Sequence, residues 1–205
     1  MGMRIGYGFD SHAFKAGVPL VIGGLEIEHD EGLAGHSDGD VLLHAITDAL
    51  LGAVSAGDIG TFFPPSDPRW KGAASSLFLK TALEEVATAG YRIVNIDTVL
   101  VMAKPKIVPI ANELRERVAE LLGVKPGEVG IKAKTPEGLN QDHVAVAHAT
   151  VLLESVALNE SVGRMVAAAD VENEIDVVVK TLVGDSRDVS ALGRKMPTFD
   201  TDDLT

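Results

Sequence analysis

The chain has no cysteine. That excludes disulfides, thiolate nucleophiles and zinc–thiolate sites, so any zinc must be held by histidine and carboxylate groups. It has no apolar run approaching the roughly 18 residues of a membrane span, which predicts a soluble protein with no membrane partner. Its first residues, "MGMRIGYGFD", lack the long apolar segment and cleavage site of a signal peptide, so the expected location is cytoplasmic. Positive charge is scarce: 18 Lys and Arg stand against 30 Asp and Glu, a formal net charge of −12. That argues against nonspecific nucleic-acid binding as the main task. An anionic substrate would need a metal ion, helix N-termini and a few local lysines to hold it.

What is present is enough for one domain with a core, or a domain plus an appendage: 205 residues, 46% of them apolar. Strand-like and helix-like segments alternate, as in α/β or α+β domains. Residues 3–9 (MRIGYGF) read as a strand, and "PLVIGGLEIEH" as two short strands around Gly23 and Gly24. Residues 37–55 read as a helix, with Val41, Leu42, Ala45, Ile46, Ala49 and Leu50 at helical spacing. "DIGTFFPPSDPRWKGAAS" is too rich in Pro, Gly and Asp for regular structure, and its length suggests function.

A helix over 75–89, a strand over 91–102 and a helix from about 106 to 122 follow. "GEVGIKAKT" reads as a strand, "PEGLNQD" as a turn, and "HVAVAHATVLLESV" as strand or helix. Strand, helix and strand, twice over, predict an α+β fold: a ferredoxin-like layer of helices on a small mixed sheet. From residue 159 the character changes. Residues 160–205 carry ten acidic and five basic residues, with an amphipathic helix expected over about 161–183 and a tail beyond. The expected division is therefore 1–158 and an acidic C-terminal helical extension, 159–205.

Several clusters suggest chemistry. Asp10 and His12 lie two apart after a strand, so an extended backbone turns both to one face. His44 sits in an apolar helical run, with Asp40 and Asp48 each four residues away as candidates to orient its ring. Together they offer two histidines and one carboxylate, leaving a fourth position open as in catalytic zinc sites. His36 and Ser37 precede the helix. Ser37 suits an N-cap, with Asp38 and Asp40 at the positive end of the dipole. "KAKTPEG" supplies Lys132, Lys134, Thr135 and Glu137, a hydroxyl for a phosphate oxygen and a carboxylate for a divalent ion. "AKPKIVP" reads as an anion-binding strand-to-helix turn, or as a helix start with Pro105 in its first turn.

"RIGYGFDSHAF", "PLVIGGLEI", "GHSDGDVLLHAITDALLGA", "GDIGTFFPPSDPRWKGA" and "VKPGEVGIKAKTPEGL" occur in the order and spacing of a known family. Over about residues 3–158 the chain resembles 2-C-methyl-D-erythritol 2,4-cyclodiphosphate synthases. The resemblance implies a homotrimer of ferredoxin-like subunits with active sites between neighbours. It implies cyclisation of 4-diphosphocytidyl-2-C-methyl-D-erythritol 2-phosphate with release of CMP, in the non-mevalonate route to isoprenoids. It also assigns roles. Asp10, His12 and His44 would bind zinc or another divalent ion, and Glu137 a Mg2+ or Mn2+ at the diphosphate. His36 and Thr135 would stabilise the transition state. Ser11 and Ser37 would lie at the substrate, Ser37 on the diphosphate side. Asp58, Ile59 and Gly60 would hold the methylerythritol part, under a loop from Phe63 to Asp67. Met102, Ala103, Lys104, Pro105, Lys106, Ile107 and Val108, with Ala133, Lys134 and Pro136, would form the cytidine side, from the adjacent subunit.

Three features depart from the family pattern. "GLNQDHVA" lacks the Phe and Arg of the usual "GLGFTGRGEGIA", which removes the basis for isoprenoid-diphosphate binding in a central cavity. Pro65 stands where Asp is frequent, and the 160–205 extension lies outside the pattern. Two other functions remain open: a zinc phosphohydrolase using an activated water, and a non-enzymatic isoprenoid-diphosphate binding trimer.

Overall fold

A computed structural model describes residues 2–139 and 142–156. The expected helix over 161–183 and the tail after it lie outside the described residues. Seven strands and four α-helices follow in order: β1 (Met3–Ala16), β2 (Leu20–Ile22), β3 (Leu25–Ile27), β4 (Glu31–Leu33), α1 (Val41–Ala53), α2 (Ile59–Phe62), α3 (Ser75–Thr88), β5 (Tyr91–Val101), α4 (Ala111–Leu122), β6 (Val129–Lys134) and β7 (Val144–Ser155). Five strands form one mixed sheet in the order β4-β1-β7-β5-β6, and β2 and β3 form a separate hairpin. The sheet is antiparallel at β1/β7 and β7/β5 and parallel at β5/β6, where α4 makes the crossover. The expected layer of helices on a small mixed sheet is present.

Two glycines bring α1 onto the sheet. A Cβ on Gly6 would lie 1.8 Å from the Ala49 carbonyl oxygen, and one on Gly8 1.9 Å from that of Ala45. With no side chains there, the α1 backbone rests against β1. The alternation of the strand carries the same face onward to Asp10 and His12. The core lies between the sheet and the helices, with Leu42, Ile46, Leu50, Leu100, Ala147 and Leu153 wholly buried.

Several boundaries differ from the sequence reading. β1 does not end at Phe9: it pairs with β7 as far as Ala13, so Asp10 and His12 lie within the strand. α1 starts at Val41, and its N-cap is Asp40, whose carboxylate accepts from the Leu43 amide at 3.0 Å. Ser37 cannot play that part, because Gly39 has a left-handed φ of 75° that breaks the run before it. The loop read as irregular contains α2 and a 3-10 turn over Pro68–Trp70. The helix expected from 106 starts only at Ala111, after a 3-10 turn over Val108–Ile110; Pro109 lacks the amide hydrogen and restricts Val108. Pro105 therefore lies outside any helix. The alanine-rich segment before Ser155 is a strand, fixed by pairing on both its edges.

Among the described residues, no helix packs on the other face of the sheet. Ile5, Tyr7 and Phe9 are 71%, 61% and 49% exposed there. The Tyr7 hydroxyl and His148 Nδ1 are hydrogen-bonded at 2.8 Å, and Phe9 packs edge-on to the same imidazole. No helix among the described residues is long and apolar enough to cross a membrane.

Candidate functional site

β1 and α1 bring Asp10, His12 and His44 together. Asp10 Oδ2 is 2.8 Å from His12 Nε2 and 2.9 Å from His44 Nδ1, and the two ring nitrogens are 3.1 Å apart. Tetrahedral zinc bonds of 2.0–2.2 Å space their donors by about 3.3 Å, so small outward shifts of the three side chains would admit a single ion. Two nitrogens and one carboxylate oxygen suit zinc and neighbouring divalent metals. Burial would push the Asp10 carboxyl up, but hydrogen bonds and charge from both histidines outweigh it and hold it well below the usual range. Burial would lower His12; Asp10 overrides it and raises that imidazole.

The carboxylates expected to orient His44 are elsewhere. Asp40 accepts from the amides of Gly23 at 2.8 Å, Gly24 at 2.6 Å and Leu43, tying the β2–β3 turn to the start of α1. Gly23 and Gly24 both have positive φ, which that two-residue turn requires. Burial pushes the Asp40 carboxyl up to about 6 against those three donors. Asp48 accepts from the Ile59 amide at 2.8 Å, and burial raises it too. The groups at His44 Nε2 are instead Ser75 Oγ at 2.8 Å and Ser37 Oγ at 3.0 Å. Nothing in the sequence marks Ser75. Its only signal is a place at the start of α3, 31 residues from His44.

Residues 36–38 are bound to residues 72–75. Gly72 donates to the His36 carbonyl at 2.8 Å, Asp38 donates to that of Ala73 at 3.1 Å, and the Ser75 amide reaches the Asp38 carboxylate at 2.9 Å. This fixes the backbone of His36, whose side chain is exposed, and holds Ser37 against His44. Ser11 is paired with Val146 on the opposite face of β1, so its side chain turns away from the triad. Asp58 caps α2 through the Thr61 amide and hydroxyl, both at 2.8 Å, and those bonds lower its pKa. Ile59 and Gly60 form the first turn of α2. Asp67 caps the 3-10 turn and pairs with Arg69, which lowers its pKa. Phe63 stacks on Phe78 at 4.4 Å and meets Trp70 edge-on, and Phe78 lies 6.0 Å from the His44 ring.

A second group gathers at the other edge of the sheet. A cavity of about 280 Å³ is lined by Met102, Pro105, Lys106, Ile107, Val108, Ala133, Lys134, Thr135 and Glu137. Ala103 and Lys104 line a neighbouring groove with Phe14 and Glu31. Pro136 is buried beneath the turn, where the Thr135 hydroxyl donates to the Glu137 carboxylate. Glu137 has φ 50°, in the left-handed region that few side-chain-bearing residues adopt, as does Ser55 at 60°.

The YgbB family model matches residues 3–154. The chain belongs to the YgbB family. A Koribacter versatilis (strain Ellin345) protein named 2-C-methyl-D-erythritol 2,4-cyclodiphosphate synthase is 64% identical over 152 residues, 74% of this chain and 98% of that one. A solved structure of a 2C-methyl-D-erythritol-2,4-cyclodiphosphate synthase, 44% identical, superposes with a TM-score of 0.70 over 74% of this chain and all of its own. A CDP-bound form at 42% identity gives the same TM-score and coverage. The YgbB match holds both the β1–α1 triad and the β6 cavity, and residues 159–205 lie beyond it.

Proposed function

We propose that the protein cyclises 4-diphosphocytidyl-2-C-methyl-D-erythritol 2-phosphate to 2-C-methyl-D-erythritol 2,4-cyclodiphosphate and releases CMP, a step of the non-mevalonate isoprenoid pathway. The observation that carries this reading is the Asp10–His12–His44 triad, within a chain 64% identical to a synthase of that name. An oxygen of the substrate's own 2-phosphate attacks the β-phosphorus. The bond from that phosphorus to the bridging oxygen breaks, and CMP leaves with the oxygen. No side-chain nucleophile is required, so the task is alignment and charge stabilisation. Divalent ions, zinc at the triad and Mg2+ or Mn2+ at the diphosphate, supply the positive charge that an acidic chain lacks.

Asp10, His12 and His44 hold the first ion and Glu137 the second. His36 and Thr135 stabilise charge on the β-phosphoryl group, and Ser37 contacts the diphosphate. Asp58, Ile59 and Gly60 orient the methylerythritol part, with residues 63–67 over it. Residues 102–108 and Ala133, Lys134 and Pro136 receive the cytidine. Ser11 contributes through its backbone. The CDP-bound relative supports a nucleotide in this fold.

A single chain keeps these parts separate. Asp10, Ala147, Leu100 and Ala133 form one row across the sheet, and its two middle members are wholly buried core. Three strand steps separate the triad from β6, about 14 Å at ~4.8 Å per step. This separation supports a site in which a diphosphate takes the triad from one subunit and the β6 end from its neighbour. The exposed apolar face of β1 supports the same assembly, a homotrimer with three active sites between subunits. We place the enzyme in the cytoplasm, and we treat residues 159–205 as an appendage to the catalytic domain.

The test is to incubate the purified protein with the diphosphocytidyl substrate and Mg2+ and to follow CMP and the phosphorus spectrum. CMP with a cyclic diphosphate is the expected result. A linear phosphate product would indicate a phosphohydrolase, and no turnover a binding protein.

A further inference from the structure

We infer that Asp38 and Ser75 are positioning residues that decide which nitrogen of His44 is free to bind a metal. The inference rests on the metal reading of the triad. Ser75 is wholly buried at the first turn of α3. Its amide donates to Asp38 Oδ2 at 2.9 Å, and its hydroxyl donates to Asp38 Oδ1 in a short contact. A carboxylate only accepts, so the single hydroxyl proton of Ser75 is committed to Asp38. Ser75 Oγ, 2.8 Å from His44 Nε2, is then left as an acceptor. Nε2 then carries a ring proton, and Nδ1, 2.9 Å from the Asp10 carboxylate and 3.1 Å from His12 Nε2, is the nitrogen left to bind an ion, which would replace any proton that Nδ1 donates to Asp10 in the metal-free protein. The opposite tautomer would put a proton where the metal bond forms.

This is the carboxylate–histidine–metal arrangement with a serine hydroxyl inserted between the first two groups. Ser37 Oγ, 3.0 Å from Nε2 and 3.5 Å from Ser75 Oγ, can accept the same proton, its own hydroxyl being free to turn to Ser75 Oγ. Helix capping alone does not account for the cluster. The N-cap residue of α3 is Ala74, with no side-chain cap, and the Asp38 carboxylate comes from 37 residues away.

The experiment measures zinc dissociation constants of the full chain by competition with a chromophoric chelator. Alongside it, long-range 1H–15N spectra of the histidine side chains of the metal-free protein, above neutral pH, report the His44 tautomer. Asp38→Asn can turn its amide toward Ser75 and release the serine proton to Nε2. Ser75→Ala removes the hydroxyl but keeps the backbone bond to Asp38, so it separates orientation from capping. Both should raise the zinc dissociation constant by about 10–100-fold, and Asp38→Asn should populate the Nδ1–H tautomer. Dissociation constants within about threefold of the unsubstituted protein in both variants would overturn the inference. So would an unchanged tautomer in Asp38→Asn, or an Nδ1–H tautomer in the unsubstituted protein. If the unsubstituted protein binds no zinc, the metal reading fails and takes this inference with it. Tight binding by the unsubstituted protein and both variants removes this inference alone.

Discussion

The two faces of β1 share a backbone and little else. Even-numbered positions carry Gly6, Gly8, Asp10 and His12, face α1 and supply two of the three donors of the candidate metal triad. Odd-numbered positions carry Ile5, Tyr7, Phe9 and Ser11 and form a largely apolar surface that no described helix covers. The period of two lets one strand carry a candidate site on one face and exposed apolar side chains on the other without either constraining the other. On the inner face the backbone of α1 sets the spacing, so position is fixed by contact. On the outer face no described helix fixes position, and the strand pairing alone holds those side chains in place.

The comparison breaks most completely at the triad. His44→Ala should abolish turnover and lower zinc affinity by more than the roughly 10–100-fold that changes beyond the ligand shell cause; chelator competition and CMP release check it. Full activity in a zinc-free His44→Ala protein would remove the triad from the mechanism. On the outer face, Phe9→Asp should convert the proposed trimer to monomer with zinc binding intact, as sedimentation and chelator competition would report. An unchanged sedimentation coefficient would assign assembly to another surface. Gly8→Ala forces a methyl against the Ala45 carbonyl and should cost about 3 kcal/mol or more in denaturant unfolding, whereas Ile5→Thr in dissociated protein should stay within about 0.5 kcal/mol.

Asp40→Ala removes the N-cap of α1, worth about 1 kcal/mol, and strands the Gly23 and Gly24 amides. The total loss should be about 2–4 kcal/mol, measured in the same way. The smallest effect is a slope with pH. Asp10 raises the His12 pKa, so the metal-free fold is favoured while His12 is protonated and loses that stability as pH rises through the raised value. Zinc needs neutral His12, so its affinity should fall as pH drops below that value, by about tenfold per pH unit for one displaced proton. The two slopes have opposite signs. Equal slopes with and without zinc would exclude His12 as a ligand.

Much of the site was legible from local pattern. Asp10 and His12 two apart on an extended backbone must share a face, and His44 in an apolar helical run must point toward whatever that helix covers. The start of α1 was misplaced because Ser37, Asp38 and Asp40 are all good capping residues. The left-handed Gly39 and the hairpin amides choose Asp40. Asp48 had the right spacing to reach His44, but the Ile59 amide takes its carboxylate. Ser75 was invisible because nothing local joins it to Asp38 and His44; the loop from Asp58 to Ala74 must first fold back along residues 36–38.

The sequence by itself determined the donor types, the alternation of β1, the glycines that admit a helix and the family. Absence of cysteine left only histidine and carboxylate to hold a metal. Tertiary structure decided which donors meet. Asp10 and His44 are 34 residues apart and become neighbours at 2.9 Å only when α1 lies on Gly6 and Gly8. It also decided what stays apart: the same row of the sheet that starts at Asp10 reaches Ala133 only across two buried core residues. Periodicity acts along the chain, whereas convergence of side chains depends on packing between segments that the chain brings together from a distance.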